Sequence, residues 1–362
     1  MQCVTPMFRR YPLGSYKDGK IVPRKEVLQD LNYDQNHITY ILDTMNSATR
    51  KKGKGFLYEQ IPCQHCWACK LNYAAQWATR IMVECNKSEH NYFITFTYDD
   101  NNLPIPTETK YNGQTYVNDG TWMGSLFPKD IDKFINSLRQ YMDRKFGKIY
   151  DENGNRINGI KYFYAGEYGE TTKRPHYHMI LMNCPLDLNQ FYNFHIDERG
   201  KMHWKSHEIE KYWDLGMIDI GEVEFASAAY VARYCMKKIT DDSDKTIYWA
   251  NGQHPEFVRM SRRPGIGMDY YNKNWETIYK NDKLYVKNFH GETIEVKPPK
   301  AWDKKFKESH PQEWFNIQRS RKEGAERSRK LLQEMTDMSD LQQLQQKAEQ
   351  LLIKGKQLPR EM

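Results

Sequence analysis

Several features are missing from this 362-residue sequence, and each absence narrows the function. No apolar run approaches the length that a bilayer span requires. The first residues, Met1 to Pro6, lack the apolar core of a signal peptide, so we expect a soluble, unexported protein with no membrane partner. The sequence contains no G-x-x-x-x-G-K-[ST] phosphate-binding loop. A P-loop helicase motor is therefore not evident.

Charge of one sign is in small excess. Lysine and arginine number 54 and aspartate and glutamate 47, which gives a net charge of +7. This excess permits nucleic-acid binding without requiring it. Aromatic residues make up 14% of the chain, with 25 tyrosines, and suit either the stacking of unpaired bases or a tyrosine-rich core.

Two histidines separated by one residue are the most informative feature that is present. The segment Arg174–Leu181 reads RPHYHMIL, and its apolar second half is typical of a buried strand. Side chains at i and i+2 of a strand share a face, so His176 and His178 point one way and Tyr177 the other. Paired imidazoles suit a divalent-metal site, although ordinary hydrogen bonds could also satisfy them.

A second segment, residues 228–238, reads AAYVARYCMKK and predicts a helix. Tyr230, Tyr234 and Lys238 then lie on one stripe, with Lys237 beside it. A tyrosine oxygen can attack phosphorus while a nearby cation stabilises the phenolate or the phosphate. The alternative is an amphipathic helix with lysines near its C-terminus, where the helix dipole favours them.

Taken together, these segments resemble the HUH endonuclease superfamily. The segment FITFTYDD at 93–100 is similar to the first motif of that superfamily. The segments GEYGE at 166–170 and RPHYH at 174–178 resemble the second, and Tyr230–Lys238 the third. With SRRPGIG at 261–267 and the early cysteines, residues 1–270 look like the rolling-circle replication initiators of gokushovirus-type microviruses.

The resemblance implies a fold, a reaction and a setting. The fold is α+β, with a ferredoxin-like or RRM-like antiparallel sheet flanked by helices. The reaction nicks one strand of single-stranded or replicative-form origin DNA through a 5′-phosphotyrosine, and a second tyrosine later releases and circularises the strand. Tyr230 and Tyr234 match the two nucleophiles, and Lys237 and Lys238 the basic residues after them. A host helicase and polymerase, and the cytoplasm of an infected bacterium, are implied as well.

Related enzymes often add an acidic metal ligand upstream of the histidines. Glu167, in a strand-like segment across a turn from the histidines, is favoured over Glu170. With His176 and His178 it would hold Mg²⁺ or Mn²⁺, a Lewis acid that polarises the phosphate. Imidazole ligands favour Mn²⁺, whereas cellular abundance favours Mg²⁺.

A cysteine cluster suggests a second metal. Cys63, Cys66 and Cys69 are spaced as in C-x-x-C turns that bind zinc. The resemblance places a further cysteine near the start, so Cys3 is the expected fourth ligand, with His65 as the alternative. A structural Zn²⁺ is thus predicted; packing of the thiols as small apolar groups is the competing interpretation.

The remaining patterns outline the organisation of the chain. We expect an N-terminal arm over residues 1–90, irregular and polar up to about 60, a nickase core over 91–270, and a C-terminal basic and helical extension over 271–362. Helices are predicted at 70–87 and 129–146, two short ones within 187–213, and one amphipathic helix carrying Leu331 to Leu351. Strands are predicted at 92–98 and 217–225, and a loop or small hairpin at 99–125.

Three arginines are candidates for DNA contact. Arg262 and Arg263 lie in a glycine-containing loop that would let the backbone approach a phosphate, and Arg233 lies on the tyrosine helix. Relaxases and transposases share the chemistry, but a third histidine and an N-terminal tyrosine, usual in relaxases, are not found here. A non-catalytic binder of single-stranded nucleic acid is the other alternative, and it would need no metal pair.

Overall fold

The protein was analysed as a computed structural model. The structure describes residues 7–12, 20–22, 51–53, 56–64, 66–154, 156–169, 171–198, 200–223, 227, 228, 231, 232, 242–287, 292–338, 342, 343, 346, 349, 350 and 353. The chain divides into two compact units, one formed by residues 1–73 with 310–362 and the other by residues 74–309. The predicted three-part division at residues 90 and 270 stays a prediction.

Fifteen strands are found among the described residues. In chain order they are β1 Met7–Pro12, β2 Lys20–Val22, β3 Lys51–Gly53, β4 Phe56–Ile61, β5 Tyr92–Thr97, β6 Glu108–Tyr111, β7 Gln114–Val117, β8 Lys161–Tyr168, β9 Pro175–Met182, β10 Phe191–Ile196, β11 Met202–Ser206, β12 Ile218–Glu222, β13 Phe257–Met260, β14 Leu284–Lys287 and β15 Thr293–Val296.

The α-helices with described bounds are α1 Trp67–Cys85, α2 Pro128–Phe146, α3 His207–Glu210, α4 Asp242–Ala250, α5 Met268–Asn281, α6 Lys300–Ser309 and α7 Pro311–Glu334. None of the helices in the described part of the chain is both long and apolar enough to cross a membrane.

A seven-stranded sheet organises the larger unit. Its order is β10-β11-β12-β5-β9-β8-β13, and every neighbouring pair is antiparallel. The α+β class, with an antiparallel sheet flanked by helices and a helix near the C-terminus, is confirmed. The central strands β5, β9 and β8 are those that carry the first two motifs.

Helix α2 covers one face of this sheet. Its buried side chains recur at helical spacing and meet those of β5 and β9 in one core; they are Ile131, Phe134, Ile135, Leu138 and Met142. Pro128 lies at the helix start, where its missing N–H costs nothing, and Gly147 ends the helix at φ 70°. The predicted helix at 129–146 is therefore confirmed.

The opposite face of the sheet is covered at one end by α1 and α5. Trp77 of α1 packs on Phe163 of β8, with ring centroids 5.1 Å apart. Lys161 of β8 bridges Glu84 of α1 and Asp269 of α5, each at 3.0 Å. This leaves the other end of β8 and β9, where the histidines lie, for a different purpose.

Local patterns were confirmed where the periodicity was clear. Strand β5, helix α1 and strand β12 occur where they were predicted. The segment at 99–125 contains the small hairpin β6–β7, whose turn Asn112-Gly113 has both residues at positive φ, as a tight hairpin turn requires.

Three expectations were wrong. Residues 191–206 form the hairpin β10–β11 rather than helices, because aromatic and β-branched residues fill it and Gly200, at φ 77°, closes its turn. The N-terminal 60 residues are not irregular throughout but contain a four-stranded sheet of order β2-β1-β4-β3. Helix α7 ends at Glu334, and residues 336–338 are not helical, so Leu331 to Leu351 do not lie on one continuous helix.

Candidate metal centre of the sheet

Three potential metal ligands meet on the hairpin β8–β9. In the strand register, Glu167 lies opposite His176, and His178 lies one pair further along the same face. The turn between the strands is closed by Gly169 N–H donating to the Arg174 carbonyl at 3.0 Å. The sequence folds this way because the polar residues of the two strands alternate with core residues such as Tyr177.

The geometry of this triad (Glu167, His176 and His178) suits a divalent cation. The Oε1 atom of Glu167 lies 3.0 Å from Nε2 of His176 and 2.6 Å from Nε2 of His178. Glu167 and His178 are buried, whereas the His176 side chain is 19% exposed. The triad is thus open to solvent on the His176 side, and one carboxylate oxygen with two imidazole nitrogens fits Mn²⁺ or Mg²⁺.

The charge states also favour a cation. Burial raises the pKa of Glu167, but hydrogen bonds from His176 and His178 outweigh this effect and lower the pKa to about 2. Burial lowers the pKa of His176, yet the hydrogen bond to Glu167 makes the net shift upward. The carboxylate is therefore ionised, and a cation would take the place of a proton at Nε2.

Both imidazoles are held through their other nitrogen. Nδ1 of His176 donates to the Arg174 carbonyl at 3.2 Å, and Nδ1 of His178 hydrogen-bonds to Oγ1 of Thr95 at 3.0 Å. Such partners fix the ring orientation and tune a ligand. Sequence reasoning missed Thr95, although the alternation of Phe93, Thr95 and Thr97 with core residues in β5 was the available signal.

The strand is also fixed from below. The hydroxyl of Tyr177, between the two histidines, accepts from Phe127 N–H at 2.7 Å and lies 3.0 Å from the Tyr98 hydroxyl. Tyr98 in turn donates to Asp130 of α2 at 2.7 Å. This chain of hydrogen bonds ties the N-terminus of α2 to the back of the metal-facing strand.

With this geometry established, comparison with known proteins identifies the family. A model of the family of replication-associated protein ORF2 matches residues 91–239, a span that contains the triad. The replication-associated protein ORF2 of Spiroplasma virus 4 is 34% identical over 259 residues, 71% of each chain. The chain belongs to the replication-associated proteins of microviruses.

Other members of this family are similar over comparable lengths. The replication-associated protein VP4 of Bdellovibrio phage phiMH2K is 29% identical over 74% of each chain. The replication-associated protein ORF4 of Chlamydia phage 1 is 23% identical over 63% of this chain and 50% of its own. No solved structure matches the chain.

Most of the predicted nucleophile segment of this replication-associated protein lies outside the described residues. Tyr230, Tyr234, Lys237, Lys238 and Arg233 belong to that undescribed part. Residues 227, 228, 231 and 232 are helical, and Val231 and Ala232 are buried. Glu170, the rival acidic ligand, also lies outside the described residues.

The arginine loop lies apart from the triad. Arg262 and Arg263 are exposed and follow β13, whose last residue, Met260, pairs with Phe163 of β8. The next residue, Ser261, hydrogen-bonds to Tyr162, so the loop begins at the opposite end of β8 from Glu167. At about 3.3 Å per residue, this end is about 20 Å from Glu167. The loop cannot touch the same phosphate as the triad, and a role in DNA binding would involve a neighbouring part of the strand.

The cysteine cluster is formed in the described residues by Cys63, Cys66 and Cys69, whose sulfur atoms lie within 4.8 Å of one another. The backbone N–H of Cys66 donates to Sγ of Cys63 at 3.2 Å, a contact that stabilises a thiolate. Three converging sulfurs fit tetrahedral Zn²⁺. Cys3 and His65, the two candidates for the fourth ligand, lie outside the described residues.

Proposed function

We propose that this replication-associated protein initiates rolling-circle replication by nicking and rejoining one strand of the viral origin DNA. The observation that supports this proposal most directly is the triad, in which a buried ionised carboxylate and two oriented imidazoles converge on the open side of a hairpin. Family membership supplies the replication context.

In the proposed reaction, the phenolate oxygen of Tyr230 or Tyr234 attacks the scissile phosphorus. A P–O(Tyr) bond forms, the bond to the 3′ oxygen breaks, and the departing oxygen takes a proton to become the hydroxyl that primes synthesis. Lys237 or Lys238 stabilises the phenolate or the phosphate charge. The second tyrosine attacks the regenerated junction and releases a circular strand.

The chain supplies the surroundings of this reaction. Glu167, His176 and His178 would hold Mg²⁺ or Mn²⁺, which when bound acts as a Lewis acid toward the phosphate. Thr95 and the Arg174 carbonyl keep both rings in the ligating orientation. Arg233, Arg262 and Arg263 would contact DNA phosphates, and unwinding and copying would fall to a host helicase and polymerase in the bacterial cytoplasm.

The deciding experiment incubates the purified protein, with Mg²⁺ or Mn²⁺, with labelled single-stranded oligonucleotides that tile the viral genome. We expect a protein–DNA adduct that survives denaturation, and its loss in the double variant Tyr230→Phe, Tyr234→Phe. DNA affinity should stay within a few-fold, since binding rests mainly on phosphate contacts.

The matched control is the double variant Tyr150→Phe, Tyr285→Phe, which changes two exposed tyrosines that lie outside the predicted helix. This control should form adducts at the wild-type level. Adducts that persist without Tyr230 and Tyr234 would place the nucleophile elsewhere, and a gel shift without any adduct would indicate a binding protein.

A further inference from the structure

A second group of two histidines and a carboxylate lies on the same face of the main sheet, near its edge. His195 of β10 pairs with His203 of β11, and His203 pairs with Gly221 of β12, two residues from Asp219. Asp219 is opposite Thr95 in the register, and Thr95 is opposite His178. The edge cluster (His195, His203 and Asp219) therefore faces the same way as the triad, with strand β5 between Asp219 and His178.

We propose that the edge cluster is a binding site for a transition-metal ion of the zinc class. One ligand atom from each residue lies within 4.8 Å of the others. Oδ2 of Asp219 is 2.5 Å from Nδ1 of His203, and its Oδ1 is 3.8 Å from Nε2 of His195. Two imidazoles and a carboxylate are a ligand set that Zn²⁺ accepts, with water completing a tetrahedron.

The orientation of His195 repeats that of His176. Nδ1 of His195 donates to the Asn193 carbonyl at 3.3 Å, just as Nδ1 of His176 donates to the carbonyl two residues before it. The lone pair of Nε2 is thereby directed toward Asp219. A neutral ring with one nitrogen hydrogen-bonded and the other free to ligate is the usual arrangement at protein metal sites.

A local irregularity in β10 aims this side chain. The register of β10 against β11 shifts between Tyr192 and His195, and Asn193 has a φ of 54°. Bulges of this kind redirect a side chain at the edge of a sheet. Zinc ligands in a tetrahedron lie about 3.4 Å apart, so closing on an ion requires a shift of about 1 Å. Because His195 is half exposed on an edge strand, such a shift is easily accommodated.

A simple ion pair explains the arrangement less well. Exposed pairs contribute only about 0–1 kcal/mol, and two histidines would compete for one carboxylate. A cation shared by all three residues would join β10 to β12 across β11 and fix the outermost strand. A second carboxylate, Asp197, lies 3.6 Å from Nε2 of His203 and can orient that ring from its other side.

The test counts Zn²⁺ ions bound per full-length chain after equilibration with zinc chloride and dialysis. The variants are His195→Gln and Asp219→Asn, with His207→Gln as control because His207 is an exposed histidine nearby that lies outside the cluster. We expect both cluster variants to hold about one ion fewer than wild type, and the control to match wild type. The melting temperature should rise with Zn²⁺ less in the cluster variants than in the control.

Equal ion counts and equal zinc-induced shifts in all four proteins would overturn the proposal. So would anomalous diffraction from zinc-soaked crystals with no peak between His195 and Asp219. The nicking reaction does not enter this test, and the cysteine cluster and the triad are intact in every variant. The outcome is therefore independent of the proposed function.

Discussion

Thr95 is the residue whose role is most specific to the triad. Its hydroxyl reaches Nδ1 of His178, whereas Thr97, on the same strand and face, hydrogen-bonds to the Met217 carbonyl instead. The two threonines thus have the same side chain in the same strand but different partners.

We expect Thr95→Val to weaken Mn²⁺ binding at the triad about 10- to 100-fold, as loss of an outer hydrogen bond to a ligating histidine typically does. Thr97→Val should bind Mn²⁺ as wild type does. The measurement is a Mn²⁺ titration, with His176→Ala defining the signal that belongs to the triad. Equal affinities for the two valine variants would show that Thr95 does not orient the ligand.

Tyr177 offers a test on the buried side of the same strand. Removing its hydroxyl leaves the Phe127 N–H without its acceptor, so Tyr177→Phe should lower the free energy of unfolding by about 1–3 kcal/mol in denaturant titrations. The control is Tyr164→Phe. Tyr164 is equally buried, and its hydroxyl makes no hydrogen bond within the described part of the chain, so its loss should be nearly neutral. Equal losses would attribute the effect to packing.

At the scale of elements, a buried carboxylate joins helix α2 to the segment that follows β11. Glu208 accepts from the Tyr141 hydroxyl at 2.6 Å, from Lys145 at 2.9 Å and from Asp187 N–H at 2.7 Å. Burial raises the pKa of Glu208, but these three partners together lower it below its ordinary value of 4.5.

A depressed pKa of this kind stabilises the protein above the ordinary pKa, and the stabilisation is lost as the pH falls through the folded value. We expect Glu208→Gln to cost about 2–3 kcal/mol at neutral pH. The variant should also lose less stability than wild type on acidification below about pH 4.5. Thermal melts across that range measure both effects, with the exposed Glu276→Gln as control. Parallel pH profiles for wild type and Glu208→Gln would contradict this account.

The elements that could be predicted are those with one clear period. Helix α2 alternates at 3.6 residues around a single apolar face, and β9 places Tyr177 and Met179 in the core and both histidines opposite. The hairpin β10–β11 was missed because its bulge breaks the two-residue alternation and aromatic residues occupy both faces. Thr95 could not be assigned, since its value depends on a neighbour 83 residues away in sequence.

At the scale of the whole molecule, the two compact units carry different metal chemistry. The cysteine cluster belongs to the unit formed by residues 1–73 with 310–362, and the triad to the unit formed by residues 74–309. Sequence alone could group the cysteines by spacing, but it could not locate the edge cluster, whose residues come from three strands.

We expect Cys66→Ser to remove about one Zn²⁺ per chain, because a structural site depends on its full set of thiolates. Cys85→Ala is the control: burial raises the pKa of Cys85 to about 12, so it is a neutral thiol and a poor ligand. Metal analysis of the purified proteins gives the answer. Zinc content that is the same in Cys66→Ser as in wild type would leave the thiols as ordinary apolar packing.

The hairpin β8–β9 has a consequence for how the catalytic apparatus assembles. Glu167 and His176 are separated by nine positions in the chain, so bringing them together requires closing only a short loop, at a small entropic penalty. A chelating unit this local can form early during folding and persist when remote parts of the chain fluctuate. A nucleophile more than fifty residues downstream in the sequence must instead be delivered by tertiary docking, which makes its arrival, rather than cation capture, the natural point of control.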